Sequence, residues 1–419
     1  MTDAVDPGGP AGPAPGSADP ALGERNFVLY LIARFVASLG QQMLTVAVGW
    51  ELYEQTNSAL SLGLVGLTNI APMFLFTLPA GHLADSRDRK RIMVSMTGVI
   101  ALASAALTCV SALRAPTACI YVCLFAVATA RTFLWPASAS FLPQLVARAS
   151  FPRAVAWSTG SFHLSSVAGP AAGGALIALL GHAAVVYAVN AVAALLCLTL
   201  LCLLRHRRQG TVREPMSLQS LVAGFRFVFA SRVILGIITL DLFAVLLGGA
   251  TALLPVYAKD ILRVGPGQLG LLQAALPVGA LLSAMVLARR RPMARAGRAL
   301  LWSVIGFGLC TVGFGFSTCF WLSWGMLFLC GATDNVSVVV RQTLVQLLTP
   351  DEKRGRVSAV NSLFIGTSNE LGGFESGVVA HWLGPVFAVV SGGVGTVLVV
   401  VMVALVWPEI RRYGRLDGD

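Results

Sequence analysis

The stretch GHLADSRDRKR, residues 81–91, decides the fold of this chain, because a weakened copy of it returns 204 residues later. At that shift Gly63 falls on Gly267, Gly66 on Gly270 and Asn69 on Gln273. Ala84 falls on Ala288, Asp85 on Arg289, Arg87 on Arg291, Arg91 on Arg295 and Tyr53 on Tyr257. In both copies an apolar run rich in small residues ends in a basic cluster. Such a repeat marks a duplicated membrane unit, an architecture common among transporters.

Composition agrees. The 419 residues are 56% hydrophobic and 12% charged, with a mean hydropathy of +0.77. A soluble chain of this length needs more charge to cover its surface, so a polytopic membrane protein is expected. Basic residues outnumber acidic ones by 30 to 19. They are confined between long apolar runs rather than spread over polar faces, which argues against nucleic-acid binding. The eight cysteines lie in or beside apolar runs without a CxxC pair and are expected as buried free thiols, not metal ligands. Residues 1–23 hold five prolines and no Lys or Arg, which suits a disordered tail rather than a signal peptide.

A bilayer core needs roughly 20 apolar residues per helix. Runs of that kind lie near 27–49, 60–80, 92–113, 118–140, 154–180 and 183–204. A second six lie near 233–257, 267–288, 299–317, 320–348, 357–380 and 385–407. The expected fold is an all-α membrane protein of twelve transmembrane helices in two six-helix bundles. Residues 1–26 form a tail, 27–204 the first bundle, 205–232 a linker, 233–407 the second bundle and 408–419 a second tail. Within the linker, residues 217–231 place Leu218, Leu221, Val222, Phe225, Val228 and Phe229 at helical spacing, as in an amphipathic helix at a membrane surface. The side of residues 81–91, with both termini, carries 24 of the 30 basic residues. The opposite side has Arg114, Lys259 and Arg263, while Arg34, Arg131 and Arg341 fall within spans. The positive-inside rule then puts both termini in the cytoplasm.

Gly81, Asp85, Arg89, Lys90 and Arg91, set between the second and third spans, resemble the loop signature G-x-x-x-D-x-x-x-R-[KR]-[KR] of the major facilitator superfamily. Within it the chain is similar to the enterobactin exporter and macrolide-efflux group, through Ala33-Arg34-Phe35, the run SLVAGFRF at 220–227 and the run 346–356. The resemblance implies that Asp85 and Arg89 act in closing the cytoplasmic face, with Arg356 as the candidate partner. It also implies a bacterial inner-membrane location, a monomer and no cofactor, the proton gradient supplying the driving force.

An ionised side chain in mid-bilayer costs a few kcal/mol, so those within spans are functional candidates. Arg34, Arg131, Asp241, Asp334, Glu370 and Glu375 form this set; Arg341 lies nearer the cytoplasm, where snorkelling is an alternative. Arg131 sits where many facilitator antiporters place a coupling Arg, without the Gln-Gly that follows it there. Glu370 and Glu375, five residues apart, point about 140° apart on a helix, so one meets the cavity and the other a neighbouring helix. Glu51 and Glu54 read as exposed ends of the first span. Asn69 and Gln273 are either cavity lining or interhelical hydrogen bonders. Gly169 and Gly173, matched by Gly373 and Gly377, give small-xxx-small spacing suited to close packing.

The expected function is proton-coupled efflux of a small amphipathic molecule, a siderophore, antibiotic or drug, by alternating access. An uptake symporter shares every feature, and only resemblance favours export. No GxxxxGK[ST] loop is present to bind ATP. The five histidines are scattered, with no metal pair, which disfavours a membrane-embedded enzyme. No loop is long enough for the folded domain of a sensor.

Overall fold

The computed structural model describes residues 24–204, 218–290, 295–412 and 414. The tail before residue 24, the connection 205–217 and the side chain of Asp85 lie outside the described residues. The first half holds α1 (Arg25–Thr56), α2 (Ala59–Ser86), α3 (Arg89–Ala112), α4 (Thr117–Phe141), α5 (Phe151–Leu180) and α6 (Ala183–Leu203). A connecting helix, α7 (Leu218–Ala230), leads into the second half. That half holds α8 (Arg232–Leu247), α9 (Pro266–Arg289), α10 (Ala296–Phe316), α11 (Phe320–Leu348), α12 (Arg354–Leu383) and α13 (Pro385–Val406).

Among the described residues, 11 spans are long and apolar enough to cross a membrane. The twelfth, α12, has 30 residues but carries Arg354, Arg356, Glu370 and Glu375. Its neighbours α2, α8 and α13 supply the apolar cover that its own composition lacks. The duplication is visible in the packing. In the first half α1 packs on α5 and α6, α3 on α4 and α6, and α2 on α4. The second half repeats each pair: α8 on α12 and α13, α10 on α11 and α13, and α9 on α11.

The halves meet along two equivalent crossings, α2 with α12 and α5 with α9. Glycine makes both possible. A Cβ on Gly63 would stand 3.1 Å from the Cα of Gly377, and one on Gly174 2.9 Å from the Cα of Gly270. These contacts lie in the half of the molecule opposite the basic loops. Toward the basic end the halves separate: residues 152–160 of α5 are exposed on nearly every face, apart from Ala154 and Ser158, whereas Gly169, Pro170, Gly173 and Gly174 are buried. The structure is therefore closed at the end opposite the signature and open at the signature end. Overpacking a tight contact costs about 1–3 kcal/mol. Gly270→Val is thus expected to cut transport severalfold at equal membrane abundance. Gly160→Val, whose new atoms meet open space, serves as the control that stays near normal.

Several expectations change. The seventh span is not one helix over 233–257: it breaks at Gly248-Gly249, where the backbone of α12 at Gly372 presses in, and resumes as short helical turns from Ala250 to Ile261. Helix α1 runs on to Thr56, so Glu51 is buried, at 6% exposure, while Glu54 is exposed. Helix α7 packs on α12 and α8, with Val228 fully buried and Val222 and Phe229 exposed. It thus belongs to the second half. The tail from 408 begins as a short helix, Pro408–Arg412, whose Ile410 is fully buried. All eight cysteines are free, but only Cys197 and Cys330 are buried. Hydropathy does not separate a residue facing lipid from one facing protein, because both environments are apolar.

Candidate transport site

The signature loop first secures the ends of its own bundle. Asp88 caps α3, its carboxylate accepting from the backbone N–H groups of Lys90 and Arg91 at 2.9 and 3.4 Å. Lys90 donates to the carbonyls of Cys202 and Leu204 at 2.9 and 2.7 Å, a cation at the negative end of the α6 dipole. Arg89 donates to Ser140 O at 3.1 Å, tying α3 to the end of α4. Gly81 is buried. Arg356 is exposed at the start of α12, where Gly224 of α7 approaches its carbonyl.

Midway through the protein the sequence candidates divide into two groups. Glu370 and Asn69 meet across the α2–α12 crossing, the Asn69 amide donating to the Glu370 carboxylate at 3.2 Å. Arg131 of α4 interacts electrostatically with Glu370 and also with Arg34 of α1. Arg131 is exposed on the face of α4 turned toward Glu370, half a turn round the helix from the likewise exposed Val122. That exposed inner face continues one turn on to Trp135, at 70% exposure. Both therefore line the gap between the halves. Arg34 also borders a cavity of about 40 Å³ inside the first bundle, with Gln41, Thr97, Asn190 and Cys197.

The remaining candidates lie away from this point. Asp241 of α8 is 8% exposed and forms an ion pair with Arg341 of α11, itself 3% exposed. Arg341 is therefore a buried partner, not a snorkelling side chain. Asp334 shares an α11 face with Cys330, whose thiol contacts Thr311 and Phe307 of α10 inside the second bundle. Glu375 is half-buried and accepts from its neighbour Ser376 at 3.4 Å. Gln273, the counterpart of Asn69, is half-buried on α9. At the position matching Glu370 the first half has Ser166, which accepts from Gln42 at 3.0 Å. The carboxylate at the crossing is present in one copy only.

Sequence reading missed Glu51, whose carboxylate accepts from Ser111 at 2.7 Å and Gln55 at 3.0 Å. It also missed the polar contacts between α1 and the segment after α8, because such residues look like ordinary loop edges. Among the described residues no group of His, Cys, Asp and Glu is arranged to hold a metal.

Comparison with known proteins agrees with this architecture. Residues 17–413 match the family described as transmembrane secretion effector. The chain is similar to the enterobactin exporter EntS of several Escherichia coli strains and of Escherichia fergusonii, 29% identical over 395 residues, covering 92% of this chain and 93% of the relative. Among solved structures it resembles a POT peptide transporter, with TM-score 0.73, 12% identity and coverage of 93% and 95%. It also resembles a bacterial homologue of the human lysosomal transporter Spinster in an inward-facing, unoccupied conformation, with TM-score 0.69, 14% identity and coverage of 94% and 98%. Two repeated bundles, a cleft between them lined by Arg131 and Glu370, and a family match spanning nearly the whole chain lead to one conclusion: this is a secondary transporter of the major facilitator superfamily, and it belongs to the transmembrane secretion effector family.

Proposed function

We propose that the chain exports a small amphipathic molecule across a bacterial inner membrane by alternating access, with protons entering in exchange and no bound cofactor. The observation that carries this reading is the hydrogen bond of Glu370 to Asn69, with Arg131 near enough to act on the carboxylate electrostatically, at the head of a cleft open on the basic side. A carboxylate holds or releases a proton according to the donors and cations around it. Here those partners belong to the other half, so they change each time the halves rock. Export is favoured by similarity to a protein named as an exporter, and a siderophore-like, antibiotic or drug-like cargo follows from the same likeness. The excess of basic residues around the signature supports a cytoplasmic position for that side and both termini. A monomer suffices, since the cleft lies within one chain. The test is transport of candidate compounds by purified protein in liposomes under an imposed pH gradient. Net movement toward the basic side with the proton would refute export.

The signature supplies the cytoplasmic gate in this proposal, with Asp85 engaging the start of α12 near Arg356 when the opposite end is open. Asp85→Asn then favours the state seen here. Transport is expected to fall about tenfold or more with normal membrane insertion, as for loss of a charge-assisted contact worth about 1.5–3 kcal/mol. Unchanged transport at equal abundance would remove Asp85 from the gate.

A further inference from the structure

We propose that Tyr53, Asn57, Lys259 and Asp260 form the second gate, holding the halves together at the end opposite the signature. The proposal rests on alternating access by two bundles and is independent of cargo, direction and coupling ion.

Four residues from the two halves interlock here. The hydroxyl of Tyr53, near the end of α1, donates to the carboxylate of Asp260. Lys259 donates to the side-chain oxygen of Asn57 at 2.8 Å, and its ammonium lies 5.4 Å from the centre of the Tyr53 ring. Two hydrogen bonds and a cation–π contact thus cross between the halves at this end, apart from the Asn69–Glu370 bond midway through the protein. Beneath them, Gly49 of α1 lies against Pro255, where a Cβ would stand 3.0 Å from the proline ring.

The backbone is shaped for this contact on both sides. Asn57 ends α1 with φ 46°, in the left-handed region that Asn tolerates better than most residues. Residues Tyr257–Ile261 form a π-helical turn, closed by the bond from Leu262 N–H to Tyr257 O at 2.8 Å. Such turns depart from regular helix and are frequent at functional sites.

The internal repeat shows that the contact is an addition. Tyr53 and Tyr257 are equivalent in the duplication, but their hydroxyls have different uses. That of Tyr257 donates to Gly315 O at 3.0 Å within its own bundle, whereas that of Tyr53 reaches across to the other half. Lys259 and Asp260 fall on Gln55 and Thr56 of the first copy, which carry no charge. The charged pair therefore exists once, at the one place where α1 faces the segment after α8.

Its strength suits a gate. Asp260 is exposed and Lys259 half-buried, so water competes for both. A charge-assisted bond in such a place biases a two-state equilibrium by about three- to tenfold rather than locking it. Every member of the contact is parted when the bundles rock open at this end.

Hydrogen exchange measured by mass spectrometry on the full chain in nanodiscs, without cargo or gradient, tests the proposal. Tyr53→Phe and Lys259→Ala are expected to raise exchange in residues 53–58 and 257–264. They should also lower exchange in residues 152–160 and 354–360, as the signature end closes. The linked protection at the far end is the signature of a gate. Tyr257→Phe, which loses a bond within one bundle, should show no such protection. A rise confined to residues 53–58 and 257–264 would reduce the contact to local packing and overturn the proposal, as would the same linked pattern in Tyr257→Phe. If Tyr53→Phe does not fold, Lys259→Ala carries the test by the same criteria. A chain that shows the linked pattern and fails to export would overturn the export reading alone.

Discussion

Glu370→Gln is expected to abolish transport driven by a pH gradient while downhill exchange of the same cargo continues. The substitution is mild in shape: a glutamine carbonyl still accepts from Asn69, so the α2–α12 crossing keeps its hydrogen bond. What it removes is the capacity to carry a proton and the attraction to Arg131. A step that must alternate between charged and neutral forms then stops, whereas rocking of the halves around bound cargo does not. Proteoliposomes loaded on one side, with and without an imposed pH gradient, separate the two activities. Concentration of cargo against its gradient by Glu370→Gln would move coupling elsewhere, with Glu375 the next residue to replace. Loss of both activities at normal abundance would instead make Glu370 part of the cargo site.

Much of this arrangement is legible in the sequence. Hydropathy places the spans, and the 204-residue repeat places the glycines of the two crossings. Gly63, Gly66, Gly267 and Gly270 announce close approach, but a glycine does not name its partner; Gly377 and Gly174 emerge only from the three-dimensional packing. Glu370 stands out as a carboxylate in an apolar run, and its asymmetry with Ser166 is visible in the alignment of the halves. Other features depend on contacts between distant segments. The break at Gly248-Gly249 follows from the pressure of α12 and leaves no mark in hydropathy. Glu51 reads as a span-end acid because the apolar run fades near residue 49, whereas hydrogen bonds from Gln55 of α1 and Ser111 of α3 hold its carboxylate inside the bundle as the helix runs on. Asp88, directly before the third span, carries the ordinary sequence signal of a helix cap.

The buried pair Asp241–Arg341 gives the other large expected effect, and here it is on folding. The two side chains lie 8% and 3% exposed among Ile237, Ile238, Leu240, Val340, Leu344 and Val345. One nitrogen of Arg341, Nε, has no hydrogen-bond partner, so Asp241 provides its compensation. Removing one member of such a pair leaves a buried charge unmatched, at a cost of about 3–5 kcal/mol. That is a large part of the roughly 5–15 kcal/mol that keeps a typical protein folded. Asp241→Asn and Arg341→Met are each expected to reduce membrane abundance and lower the melting temperature in detergent. The joint variant Asp241→Leu with Arg341→Met buries no charge and should recover both, because an apolar replacement of a buried pair is often neutral or stabilising. Proton-driven transport by that joint variant then decides the role of Asp241. Retention assigns the pair to the architecture of the second bundle. If Asp241→Asn instead folds like the parent and loses only gradient-driven transport, Asp241 joins Glu370 in carrying the proton.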